Sequence, residues 1–144
     1  PQQNDLYEYC GIVPLSDGTE VYIIHSKGNG WILPKGKWDG KHDTDWESCA
    51  RRVAIRKAGS VLGPLTYLGT TPGRRSGIVW YSGTVKERRD PTDMSARNYE
   101  NAEEFSFKYA FDNLRAHELF KYKTPMWKAL LAATEKAERT RYRG

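Results

Sequence analysis

The stretch from Asp45 to Gly59 constrains the fold more than any other part of the chain. Asp45 is a good helix N-cap. Trp46, Cys49, Ala50, Val53, Ala54 and Ala58 recur at helical spacing, and Gly59 ends the run after about Ala58. A helix with one apolar stripe must lay it on a partner surface, and the flanking sequence supplies strands. Leu6 to Val13 alternates, Ser16-Asp17-Gly18 reads as a hairpin turn, and Val21 to His25 is rich in β-branched residues. Gly28-Asn29-Gly30 breaks that strand, and Trp31-Ile32-Leu33 is a short buried strand ending at Pro34. Residues 35–44 carry Lys, Gly and Asp with little apolar content and read as a loop.

Downstream, Leu65 to Thr70 and Ile78 to Val85 read as strands joined through Thr71-Pro72-Gly73-Arg74-Arg75. Residues 86–101 are polar and aperiodic, a surface loop of unusual length. Phe105 to Tyr109 is a short strand, Ala110 to Leu114 one or two helical turns, with a further short segment to Phe120. Thr124-Pro125 starts a last helix whose apolar face is Trp127, Leu130, Leu131 and Thr134. Interleaved strands and helices predict a mixed α/β class, of the α+β type, with helices packed on a central sheet. The 144 residues fit one domain, 1–144, and a start at Pro1 without Met suggests a piece of a longer protein.

Composition narrows the partners. The chain is 38% hydrophobic and 12% aromatic, as globular domains are, and no apolar run nears the roughly 18 residues of a membrane span. No membrane partner is expected; an intracellular setting, cytoplasmic or nuclear, is. Cys10 lies in an apolar strand pattern and Cys49 on the helix stripe. Without CxxC spacing they read as two buried free thiols, the alternative being a structural disulfide. The formal net charge of +5 favours anionic partners: phosphorylated small molecules, nucleic acid or an acidic protein surface. Part of that excess, Arg139, Arg141 and Arg143, simply suits the C-terminal end of a helix.

Leu33-Pro34-Lys35-Gly36, a loop, Glu47 to Arg52 and then Ala58-Gly59 resemble the Nudix box, G-x5-E-x7-R-E-U-x-E-E-x-G-U, where U is a bulky aliphatic residue. In that family the box forms a loop–helix–loop whose glutamates hold Mg²⁺ or Mn²⁺ against a pyrophosphate, because hard cations take oxygen ligands. Gly36, Arg52 and Gly59 match the first glycine, the arginine and the last glycine, with two extra residues between Gly36 and Arg52. Counted back from Arg52 the first glutamate falls on Thr44, and counted forward from Gly36 it falls on His42. The others fall on Val53, Arg56 and Lys57, and the final aliphatic position on Ser60. All four glutamates are missing and two are replaced by cations, which repel a divalent ion. The likeness extends along nearly the whole chain. Thr71 to Val85 resembles the strand pair carrying basic residues in the diphosphoinositol and diadenosine polyphosphate hydrolase branch, and Glu104-Phe105 with Phe107, Ala110 and Leu114 resembles its closing pattern.

The resemblance implies a Nudix fold, a mixed central sheet sandwiched between helices, with a catalytically degenerate box. It implies no catalytic residue and no metal or other cofactor; Mg²⁺ or Mn²⁺ enters only if the chain is a divergent pyrophosphohydrolase with ligands displaced to the longer loop and to Glu87, Asp90, Asp93 and Glu100. The expected phosphate-binding residues are Lys35, Lys37, Arg56, Lys57, Arg74 and Arg75, set against the plainer reading of charged loops and a solvated basic helix face. The ligand would be an inositol polyphosphate or a nucleotide; a protein partner or RNA are the rivals. Arg52, without its glutamate, is expected to pair with another carboxylate. Asp39, His42, Asp43, Asp45 and Glu47 offer a rebuilt metal site, although Asp45 is better explained as the N-cap and Glu47 as a first-turn acid. His25 and His117 read as structural or surface residues, and Trp31 and Trp46 as core. Trp38 in the polar loop is either an exposed aromatic that with Tyr99 stacks on a base or docks a partner, or a ring packed on its own loop.

Overall fold

A computed structural model describes residues 7–16, 20–26, 30–73, 76–90, 106–110 and 123–143. Among these residues the elements run in the order β1 (Tyr7–Ser16), β2 (Glu20–Ser26), β3 (Gly30–Ile32), β4 (Lys35–Lys37), α1 (Trp46–Ala58), β5 (Ser60–Thr71), β6 (Gly77–Arg88), β7 (Ser106–Ala110) and α2 (Thr124–Arg143). The strands make one mixed sheet. Its central path runs β3-β2-β1-β6-β5, with β4 paired to β1 and β7 to β2. β1 and β6 are parallel from Tyr7↔Gly77 to Leu15↔Thr84; the other pairings are antiparallel.

Period-2 alternation sends the side chains of the two central strands to opposite faces. Cys10 and Ile12 of β1 and Val79 and Tyr81 of β6 pack under α1 with Cys49, Ala50, Val53 and Ala54. Val13, Leu15, Ile78 and Trp80 point the other way, with Val21, Ile23 and Leu33, onto Met126, Ala129, Leu130 and Ala133 of α2. The mixed α+β class with helices packed on a central sheet is therefore what forms. Gly11 is part of this layering: a Cβ there would lie 2.3 Å from the Trp80 ring, whose indole N–H donates to Thr71 Oγ1 at 2.7 Å.

Helix α1 begins and ends as its caps dictate. The Asp45 carboxylate accepts from the Ser48 amide while the Ser48 hydroxyl accepts from the Asp45 amide, a capping box, and Gly59 closes the helix at φ 61. Three expectations are corrected. Lys35–Lys37, read as loop, is a strand, because its backbone pairs with Tyr9, Cys10 and Gly11 whatever its side chains prefer. β6 continues through Lys86, Glu87 and Arg88, taken for the start of a loop, because β5 extends beside it to Ser60. Ala110, expected to open one or two helical turns, instead ends β7, where its backbone pairs with Glu20. On α2 the described buried residues include Met126, Ala129, Leu130 and Ala133, so of the expected face Leu130 is buried and Leu131 half-buried. The side chains of Trp127 and Thr134 lie outside the described residues, as do the turn at Asp17-Gly18, the Glu104-Phe105 pair, His117, Tyr99 and residues 111–114. No helix among the described residues is long and apolar enough to cross a membrane.

Candidate functional site

The loop before α1 and the helix itself are joined by one ion pair. Arg52 Nε donates to Asp43 Oδ1 at 2.7 Å and Nη2 to Oδ2 at 2.8 Å, and Nη2 also reaches the Lys37 carbonyl at 2.9 Å. The expectation that Arg52 pairs with another carboxylate is met by Asp43, whose side chain is fully buried. Burial pushes the Asp43 carboxyl up, but the Arg52 hydrogen bonds, the Asp39 amide and the Cys49 thiol outweigh it and hold it below its ordinary range. The same pairing raises the Arg52 guanidinium. Asp43 is one of several loop acids in the sequence, and nothing local marks it out from Asp39 or Asp45 as the partner of Arg52.

On the sheet side, β4 presents Gly36 to α1. A Cβ on Gly36 would lie 2.7 Å and 3.1 Å from the two methyls of Val53, so strand and helix approach as closely as they do only because position 36 has no side chain. Val53 is 1% exposed. Lys35 and Lys37 flank Gly36 and so project to the opposite face of β4. The Lys35 ammonium accordingly sits 5.3 Å over the Tyr9 ring, which packs with the α2 core. On α1, Arg56 follows Arg52 by one turn and is exposed, and Lys57 is half-buried.

This arrangement of strands and helices has known counterparts. The crystal structure of an ADP compounds hydrolase superposes with a TM-score of 0.66 and 16% identity, over 92% of this chain and 74% of that one. The Nudix domain of NrtR from Shewanella oneidensis, bound to ADP-ribose, gives 0.57 and 18%, over 85% of this chain and 90% of that one. The pyrophosphohydrolase BsRppH of Bacillus subtilis gives 0.53 and 16%, over 86% and 85%. This chain has the Nudix fold. By sequence, no protein-family model matches it, and no curated protein does.

Gly36 and Arg52, the residues that resemble the first glycine and the arginine of the box in sequence, fall on β4 and α1. The residues that the resemblance aligns with the four glutamates stand apart chemically. Thr44 is an exposed residue whose hydroxyl lies 3.4 Å from that of Ser48, Val53 is sealed against Gly36, and Arg56 and Lys57 occupy the last turn. Ser60, which the resemblance aligns with the final aliphatic position, is fully buried, and its hydroxyl has no hydrogen-bond partner among the described residues.

Of the six expected phosphate-binding residues, the fold brings Lys35 and Lys37 to one face of β4 and Arg56 and Lys57 to the last turn of α1, on the other side of the sheet. Arg74 and Arg75 lie outside the described residues. Three of the loop acids are engaged elsewhere. Asp45 caps α1, Asp43 holds Arg52, and Asp39 accepts from His42 Nδ1 at 2.7 Å and from the Lys41 amide at 3.0 Å. Among the described residues no group of three or more His, Cys, Asp or Glu is arranged to hold a metal ion. Trp38 is 8% exposed and meets Trp46 edge-on at 4.9 Å, so the reading of it as an exposed stacking aromatic is overturned. The loop backbone explains this: the Trp38 amide donates to the Glu8 carbonyl at 2.8 Å, extending the β4 register and turning the indole under α1.

Proposed function

We propose that this chain is a catalytically degenerate Nudix-fold domain, a binding or regulatory module for a polyphosphorylated ligand rather than a metal-dependent pyrophosphohydrolase. The observation that carries this reading is the contact of Val53 with Gly36. Where the box wants a metal-ligating glutamate there is an aliphatic side chain closed off from solvent, followed one turn later by a guanidinium and an ammonium. Hard divalent cations take oxygen ligands. A methyl surface supplies none, and the two cations repel the ion. These residues do not fit Mg²⁺ or Mn²⁺, and no hydrolytic step is assigned to them.

Basic side chains with no metal between them meet phosphate directly. Each charge-assisted hydrogen bond of that kind contributes on the order of 1.5–3 kcal/mol. Arg56 and Lys57, which stand at the sequence positions resembling the adjacent glutamates of the box, carry the proposed site with Arg74 and Arg75 as further contacts; Lys35 and Lys37 project to the opposite face of β4, away from α1, and are left out of it. One similar structure holds ADP-ribose and another belongs to a hydrolase of ADP compounds, which supports a nucleoside diphosphate or another compact polyanion such as an inositol polyphosphate.

Two measurements on the purified chain test the proposal. Calorimetry with ADP-ribose and with inositol hexakisphosphate should give saturable binding to at least one of them without Mg²⁺. Phosphate-release assays on dinucleoside and diphosphoinositol polyphosphates should stay at background with Mg²⁺ or Mn²⁺. Chelator-sensitive turnover within about tenfold of an ordinary enzyme of this fold, commonly 1–10³ s⁻¹, would overturn it.

A further inference from the structure

The β5 edge of the sheet carries an aromatic pair that the fold leaves half open. Tyr67 of β5 and Tyr81 of β6 lie directly opposite each other, with ring centroids 5.6 Å apart and planes at 60°. Tyr81 is buried in the layer beneath α1. Tyr67 is 51% exposed, the one large apolar side chain so placed among the described residues. β5 ends the central path of the sheet, so no neighbouring strand of that path covers Tyr67 from its outer side.

Single exposed apolar residues are ordinary on a protein surface. This one has a carboxylate beside it. The chain turns back at Gly59, so β5 retraces α1, and the Arg51 guanidinium donates to the Leu62 carbonyl at 2.8 Å. Glu47 shares that helix face one turn nearer the start of α1, and so lies farther along β5, toward Tyr67. Its charge reaches the tyrosine pair: burial, then the Cys10 thiol and the Glu47 carboxylate, push the Tyr81 phenol up to about 12, with Asp45 adding to them. Glu47 is exposed, and among the described residues no ion pair takes it up. Arg51, its neighbour on the helix, is turned to a backbone oxygen instead. Cations of the chain already gather on this strand, since Lys136 of α2 donates to the Tyr67 carbonyl as Arg51 does to that of Leu62.

We propose that Tyr67 and Glu47 form a docking point for an arginine of a basic peptide segment, with the guanidinium stacked on the exposed Tyr67 ring and forked onto the Glu47 carboxylate. Arginine suits both halves. Its planar guanidinium stacks on aromatic faces and pairs bidentately with carboxylate, whereas an ammonium is a compact, strongly hydrated point charge. The packed Tyr81 ring backs Tyr67 and limits its movement. This docking point does not depend on polyanion binding at Arg56 and Lys57.

The test is an amide-resolved NMR titration of the whole chain at low salt with a capped pentapeptide, two arginines alternating with three glycines. Matched peptides carry lysine or citrulline in place of arginine. The arginine peptide should give saturable shifts centred on Leu65, Thr66, Tyr67 and the first turn of α1, and added salt should weaken it. Citrulline keeps the shape without the charge and should not bind. The lysine peptide should bind at least about twofold less tightly. Tyr67→Leu and Glu47→Gln should each weaken the arginine peptide by at least about threefold, the size of an exposed cation–π or ionic contact. Tyr67→Phe keeps the ring and should stay within about twofold of the parent. The proposal is overturned by no saturable shift with the arginine peptide, by equal binding of either matched peptide, or by Tyr67→Leu binding as tightly as the parent. A loss in Tyr67→Phe as large as in Tyr67→Leu overturns it too.

Discussion

Arg52 grips the buried carboxylate of Asp43 with two nitrogens of its guanidinium, at 2.7 and 2.8 Å, and with one of them also holds the Lys37 carbonyl. One side chain of α1 thus ties down both the loop ahead of the helix and the end of β4. Removing the cation would leave a buried carboxylate unpaired. Arg52→Met should therefore destabilise the fold by about 3 kcal/mol, the lower end for such pairs because 21% of the Arg52 side chain remains in solvent. Urea denaturation measures this; a loss under about 0.5 kcal/mol, the size of an ordinary surface change, would contradict the pairing.

The same pair sets a pH dependence. The folded Asp43 carboxyl titrates below its ordinary value of 3.8, so the unfolded chain takes up its proton first as pH falls. Its stabilising contribution is complete above that ordinary value and is lost as pH drops through the depressed folded one. The acid limb of a stability–pH curve should be shallower in Asp43→Asn than in the parent. Equal limbs would assign acid unfolding to other groups.

The Gly36–Val53 contact makes a reciprocal forecast. Gly36→Ala should cost roughly 1–3 kcal/mol from overpacking, since the new methyl meets both Val53 methyls. Adding Val53→Ala should recover part of that loss, although Val53→Ala alone is destabilising. Simple additivity in the double-mutant cycle would mean that strand and helix do not meet at this point.

Charge reversal tests the proposed polyanion site. Arg56→Glu should weaken binding of inositol hexakisphosphate by at least about tenfold, roughly 1.4 kcal/mol, with affinity falling as salt rises and indifferent to Mg²⁺. Thermal stability should barely change, because Arg56 is exposed. An unchanged affinity would remove Arg56 from the site.

Cys10 and Cys49 are free and fully buried, as the sequence suggested. The hydrogen bond with Cys49, then burial, pushes the Cys10 thiol well above its ordinary range, leaving little reactive thiolate. Alkylation of the native chain should be slow and should accelerate with added urea, and two thiols should titrate once it is unfolded. Rapid native labelling of either cysteine would show that the α1–β1 layer opens readily.

What the sequence determined on its own is what local chemistry controls. Asp45 and Gly59 bound α1 through cap hydrogen bonds made within a few residues, and its apolar stripe followed from 3.6-residue spacing alone. The main strands were visible as alternation, and the layering of helices on a sheet follows from it. The resemblance to the Nudix box pointed to the fold that forms.

Tertiary structure alone decided the rest, because it depends on partners distant in the chain. Lys35–Lys37 is a strand because β1 offers it a backbone ladder, and that pairing sends its lysines away from α1. Trp38 is buried because the ladder continues to Glu8. The stripe of α2 is set by which of its residues meet Leu33, Ile78 and Trp80. Asp43 rather than any other loop acid holds Arg52 because the loop folds back on its own amides, His42 and Asp43 donating to the Asp39 carbonyl. Helix caps and strand periodicity are encoded within a few residues; register, facing and enclosure arise only when segments dozens of residues apart are packed together.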